Sequence, residues 1–222
     1  MTTLASQFVV DESTGRLLEL TSQNDRNEDD VEEIINLVNE KAPKLLETLS
    51  DSNKEIIAKT CYLKTYKNNE VVFQQGDIPD AYYTVIRGAI SIYALLSTST
   101  MVDGDDRTTK YGKFLMQLPP GSSFGELSFN ADYNHSRRNA GVVSDGNHGG
   151  NHNEINASNV AILLLIPEVT YMDELYPRHA SKHKTKEKVS NVITIVLRQC
   201  IHCGCVSLTQ ILDLVSQIIP IV

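Results

Sequence analysis

The sequence has no apolar run approaching the roughly 20 residues that a bilayer-spanning helix needs, so no transmembrane segment is expected. Its opening residues, MTTLASQFVVDESTGR, lack a basic n-region and a long apolar core, so they do not read as a secretory signal. Cysteine is scarce: there are 4, and Cys200, Cys203 and Cys205 cluster at one end. That is no framework for disulfides. The sequons at Asn134 and Asn156 are then chance matches, and the cytosol is the expected compartment. Positive charge is also short. With 20 Lys and Arg against 28 Asp and Glu, the net charge of −8 disfavours nucleic acid and anionic membrane as partners.

What is present is ordinary for a globular chain. Hydrophobic residues make up 41% of 222 positions, enough for one domain with extensions or one domain plus a small second one. Residues 1–30 are polar, end in the acidic run NDRNEDD and carry too few apolar residues for a core, so they read as a disordered acidic tail whose last acids favour the start of a helix. Over residues 31–60 the pattern becomes helical. Ile34, Ile35, Val38, Leu45, Leu46 and Leu49 share a face, Pro43 splits the run into two short helices, and Ser50 or Asp51 caps another.

After Cys61 the texture changes. Runs rich in β-branched and aromatic residues (Tyr62–Tyr66, Val71–Phe73, Tyr82–Arg87, Ala89–Leu96, Phe114–Leu118) alternate with turn clusters at Lys67–Asn69, Gln75–Asp77 and Arg87–Gly88. Short antiparallel strands at this spacing predict a mainly β domain, a jelly-roll barrel over residues 61–167 with helices on either side. Residues 97–112 read as a polar loop, and Asp145–Asn159 as a Gly/Asn/His-rich surface insertion. Val160–Ile166 is almost wholly apolar and reads as a buried strand, with Pro167 opening a helix after it. Beyond a basic stretch at Arg178–Lys188, two apolar stripes with helical spacing complete a C-terminal helical region over residues 168–222.

One stretch, residues 121–142 (GSSFGELSFNADYNHSRRNAGV), carries the chemistry. Glycine lets backbone approach a ligand, a helix start offers free N–H groups, and arginine supplies a forked cation. Together these suit a phosphate. A carboxylate beside them would repel phosphate, but it accepts hydrogen bonds from a sugar hydroxyl. Phosphate plus sugar means a nucleotide.

FGEL at 124–127, an R-x-A-x-V run at 138–142 and the upstream blocks Asn69–Asp77 and Ala81–Gly88 occur in one order. In these blocks the chain resembles the cyclic-nucleotide-binding domain family. The resemblance implies a non-enzymatic sensor of cAMP or cGMP, with no cofactor. It is expected to couple the nucleotide to C-terminal lid helices and, through them, to a protein partner. The site it implies comprises Phe124, Gly125, Glu126, Leu127 and Ser128, then Arg137, Arg138, Asn139 and Ala140. Backbone N–H groups from Gly125 to Ser128 would face the phosphate, and Glu126 the ribose. Lining up R-x-A-x-V makes Arg138 the phosphate ligand, with Arg137 as its rival, because a one-residue slip in a strand swaps the two faces.

The sequence also departs from the family pattern. Arg138 follows Glu126 by 12 positions, about three more than usual, and the extra residues fall near Asn130–Ser136. Position 139 is Asn where relatives carry Ala or Thr. A hydroxyl there favours guanine in some members, so its absence leans to cAMP. The alternative is a fold that has lost its ligand and serves as an interaction scaffold. Three other patterns carry less. G-x-S-x-G around Ser123 lacks the strand-and-helix context of a nucleophile elbow. The cluster Cys200, His202, Cys203 and Cys205 is too tightly spaced for a tetrahedral zinc site, and His148 and His152 sit in a polar loop, so no metal is expected. A DNA-reading helix-turn-helix is not expected either, since residues 206–222 are short and carry no Lys or Arg.

Overall fold

The computed structural model describes residues 10–95, 110–129, 137–146 and 160–180. The chain divides into two compact units, Met1–Tyr176 and Pro177–Val222; of the second, residues 177–180 are described, and they are helical. The predicted polar loop, the Gly/Asn/His insertion, the Cys/His cluster and the C-terminal apolar stripes fall wholly or largely outside the described residues. So do the extra positions near Asn130–Ser136.

The first unit opens with helices α1 (Glu12–Thr21), α2 (Glu28–Lys41), α3 (Pro43–Leu46) and α4 (Asp51–Thr60). Helix α1 corrects the reading of residues 1–30 as a disordered tail. Asp11 caps it by accepting from the Thr14 N–H at 3.0 Å. Leu17 and Leu20, one turn apart, are fully buried. Two leucines cannot build a core, but they can complete one that α2 and α4 already supply. The last acids of the run open α2, as expected: Asn27 and Asp30 form a reciprocal capping box, and Glu28, Asp29 and Asp30 sit at the positive end of the helix. Pro43 breaks the helical run as expected, at the first position of α3, and Ser50 caps α4.

Among the described residues eight strands follow: β1 (Tyr62–Lys67), β2 (Val71–Phe73), β3 (Ala81–Arg87), β4 (Ala89–Ala94), β5 (Lys113–Leu118), β6 (Ser123–Phe124), β7 (Gly141–Gly146) and β8 (Val160–Pro167). They pair antiparallel in two sheets, ordered β1-β8-β3-β6 and β2-β7-β4-β5. The expected jelly-roll barrel is, among the described residues, two facing four-stranded sheets that do not close into a barrel. The joining strands are too short to carry a ladder around the corner. Strand β6 has 2 residues, and β2 has 3 with a register break.

Strands β3 and β8 lie inside their sheet and are covered on both faces, which explains the continuous apolar run of β8. Ala161, Leu163 and Leu165 point into the core between the sheets, with Tyr66, Tyr83, Val85, Ile90 and Phe124. Ile162, Leu164 and Ile166 point the other way, into a core shared with α1, α2 and α4. After β8, α5 (Glu168–Thr170) passes into a π-helical turn, Tyr171–Leu175, whose Tyr171 and Leu175 are buried in that same helical core. Cys61 is the one free cysteine among the described residues; burial pushes its thiol up to about 11.

Candidate functional site

The site forms where three turns meet at one arginine. The chain leaves β2 at Phe73, turns at Gln75–Gly76, and reaches Asp80 just before β3. It then leaves β6 at Phe124, passes Gly125 at φ +102, and enters the 3-10 turn Glu126–Phe129. A Cβ on Gly125 would stand 2.9 Å from Arg138 Nη1, so glycine is needed there for both backbone and space.

The backbone of Arg138 is fixed on both sides. Its N–H donates to the Asp77 carbonyl and its carbonyl accepts from the Gly76 N–H, each at 2.8 Å. Neighbouring side chains on extended backbone face opposite ways, so this pairing sends the two arginines apart. Arg137 is exposed, and its Nη1 donates to the Gly76 carbonyl at 2.9 Å. Arg138 turns inward, and its side chain is 1% exposed.

Inside, Arg138 Nη2 donates to Asp80 Oδ1 at 3.1 Å and to the Ala81 carbonyl at 2.7 Å. Nη1 donates to the Gly125 carbonyl at 3.1 Å. The guanidinium carbon lies 4.3 Å from the Phe73 ring centre, 5.3 Å from that of Tyr83 and 5.5 Å from that of Phe129. Arg138 Nε is the buried side-chain nitrogen left without a hydrogen-bond partner among the described residues. An unsatisfied N–H on a buried cation is costly, and it is a ready donor for an anion. The Tyr83 hydroxyl donates to the same Asp80 oxygen at 2.8 Å; burial, and then that bond, pushes its pKa well above the usual range, so it remains a donor.

The structure brings Gly125 and Arg138 together and spreads the other predicted residues around them. Phe124 faces the core between the sheets, stacked on Tyr83 at 5.2 Å. Glu126 is partly exposed, Leu127 is exposed, and Ser128 is buried. The Ser128 N–H points back to the Gly125 carbonyl at 3.5 Å. Burial first, with the charge of Glu126 a lesser cause of the same sign, raises the hydroxyl pKa of Tyr82 and Tyr171. Asn139 is exposed and Ala140 partly so. Ser123, centre of the G-x-S-x-G pattern, lies in β6 paired with β3, with its Oγ 2.9 Å from Thr84 Oγ1.

Sequence reasoning missed Asp80, Phe73 and Tyr83 as neighbours of the arginine. Phe73 and Tyr83 fall inside the matching blocks, where an aromatic in a strand reads simply as core. Asp80 falls between the blocks, 58 positions from Arg138.

The family described as "Cyclic nucleotide-binding domain" matches residues 63–147, a span that holds Phe73, Asp80, Gly125 and Arg138. No curated protein matches the sequence. Among solved structures, the regulatory domain of Toxoplasma gondii PKA with cAMP is similar at 14% identity and a TM-score of 0.51, over 73% of this chain and 51% of that one. A second, cAMP-bound PfPKA-R (141–441), is similar at 18% identity and a TM-score of 0.52, over 78% of this chain and 51% of that one. At these identities the likeness shows the fold, and this chain spans about half the length of each.

Proposed function

We propose that this chain, whose residues 63–147 match the cyclic nucleotide-binding domain family, is a regulatory module that binds a cyclic nucleotide, cAMP in preference to cGMP, and is not an enzyme. The observation that carries the reading is Arg138: a cation 1% exposed, held on three oxygens, with its Nε unpartnered. Such a group is already desolvated and oriented, so an anion reaching it gains a charge-assisted bond at little further ordering cost. In this account the cyclic phosphate takes Arg138 Nε and backbone N–H groups of the Glu126–Phe129 turn, while Glu126 accepts from the ribose hydroxyl. Asn139 supplies no hydroxyl for a guanine, which favours adenine.

The module would act in the cytosol, with residues 168–222 as lid and partner-binding helices. Tyr171 and Leu175 are buried in the helical core, and Tyr171 packs on Phe129 at 4.7 Å, which supports a coupling of the site to the start of that region. One observation favours a second reading, a ligand-free interaction scaffold: three of the arginine's donors already have protein partners, so Arg138 also has a purely structural use.

Calorimetric titration of the folded protein with cAMP and with cGMP separates the two. The sensor reading expects saturable binding, tighter for cAMP. A folded sample that gives neither heat nor a thermal shift with either nucleotide supports the scaffold.

A further inference from the structure

We propose that Phe73 is a positioning residue that holds the Arg138 guanidinium in the plane needed to receive an anion. The inference rests on the reading of Arg138 as the phosphate ligand and adds a residue to which nothing so far assigns a role. A guanidinium has two apolar faces and a rim of N–H bonds. Phe73 lies 4.3 Å from the guanidinium carbon, closer than either Tyr83 or Phe129. An aromatic ring over a face restrains the plane through cation–π attraction and leaves the rim free for in-plane hydrogen bonds. The rim is already ordered at both Nη atoms by Asp80, Ala81 and Gly125, and Nε remains.

The ring is itself held in place. Phe73 packs on Tyr83 at 5.4 Å and on Phe124 at 6.1 Å, and its backbone pairs with Val142 of β7, four positions beyond Arg138. Phe73 thus reaches across from the β2 sheet to a side chain anchored beside β3 in the other. A leucine at 73 would fill much of the volume but offer no π face; a tyrosine would keep the face.

The test compares wild type with Phe73→Leu and Phe73→Tyr in two measurements. The first is exchange with water of the Arg138 Nε–H in the ligand-free protein, by nitrogen-edited NMR, its resonance identified by its loss in Arg138→Lys. The second is cAMP affinity by calorimetry. Positioning predicts that Phe73→Leu speeds the exchange and weakens cAMP by about tenfold, while Phe73→Tyr stays within about twofold of wild type. Unchanged exchange in Phe73→Leu overturns the proposal whether or not nucleotide binds. Faster exchange with undiminished cAMP affinity overturns the link to recognition. Should wild type itself bind no cAMP, the reading of Arg138 as a phosphate ligand falls, and faster exchange in Phe73→Leu would still uphold the hold of Phe73 on Arg138.

Discussion

Arginine meets carboxylate in two regions of this molecule, with different results. On the helical layer, Arg16 grips Glu33 through two parallel bonds, Nε to Oε1 at 2.8 Å and Nη2 to Oε2 at 2.7 Å, at a surface where both side chains are about 40% exposed. Every donor on that edge is satisfied, and water screens the pair. In the sandwich, Arg138 meets Asp80 through one nitrogen, spreads its remaining bonds over two carbonyls, and keeps Nε unpartnered in the interior. The surface pair is complete and fastens α1 to α2. The buried one is incomplete, which fits a group that awaits a ligand.

The comparison can be broken most severely at Gly125. Gly125→Ala forces a side chain into φ +102 and sets a methyl 2.9 Å from Arg138 Nη1. The expected loss is about 3 kcal/mol of stability, together with cAMP binding, read by denaturant unfolding and titration. A smaller effect tests a third arginine that caps rather than pairs. Arg26 donates to the Thr21 and Cys61 carbonyls, each at 2.8 Å, and to the Ala58 carbonyl, tying the ends of α1 and α4 together. Arg26→Ala should cost about 2 kcal/mol of stability and leave nucleotide affinity unchanged.

The smallest effect is the pH response of the surface region. Burial works against the charged form of Asp11, but hydrogen bonds from Lys41, Ser13 and Thr14 outweigh it and hold the carboxyl well below its usual 3.8. A depressed carboxyl stabilises above its unfolded pKa, and that contribution is lost as pH falls through the folded value. Amide shifts of residues 12–21 should therefore hold steady at neutral pH and move as the pH drops below about 4, reporting α1 loosening from α2. Shifts that moved instead between about pH 7 and 5 would contradict this account of the carboxyl.

The burial of β8, the break at Pro43 and a cap at Ser50 or Asp51 were legible because each is a local pattern; that β8 alternates between two cores was not, since it depends on what packs on each face. Helix α1 was not, because Leu17 and Leu20 become a core only against α2 and α4. Barrel closure was not, because it depends on how far the ladder runs past β2 and β6, which residue types do not state. At the site, Gly125 and the arginine pair stood out in the sequence. Which arginine turns inward depends on bonds to the Gly76–Asp77 turn, some 60 positions upstream, and Asp80 and Phe73 enter through contacts of the same long range.

The most direct test of the central claim is cAMP affinity, by calorimetry, in wild type, Arg137→Ala and Arg138→Lys, the last keeping the charge while losing the planar fork. The account predicts binding within about threefold of wild type for Arg137→Ala and a loss of about a hundredfold for Arg138→Lys. Binding lost in Arg137→Ala and kept in Arg138→Lys would contradict it.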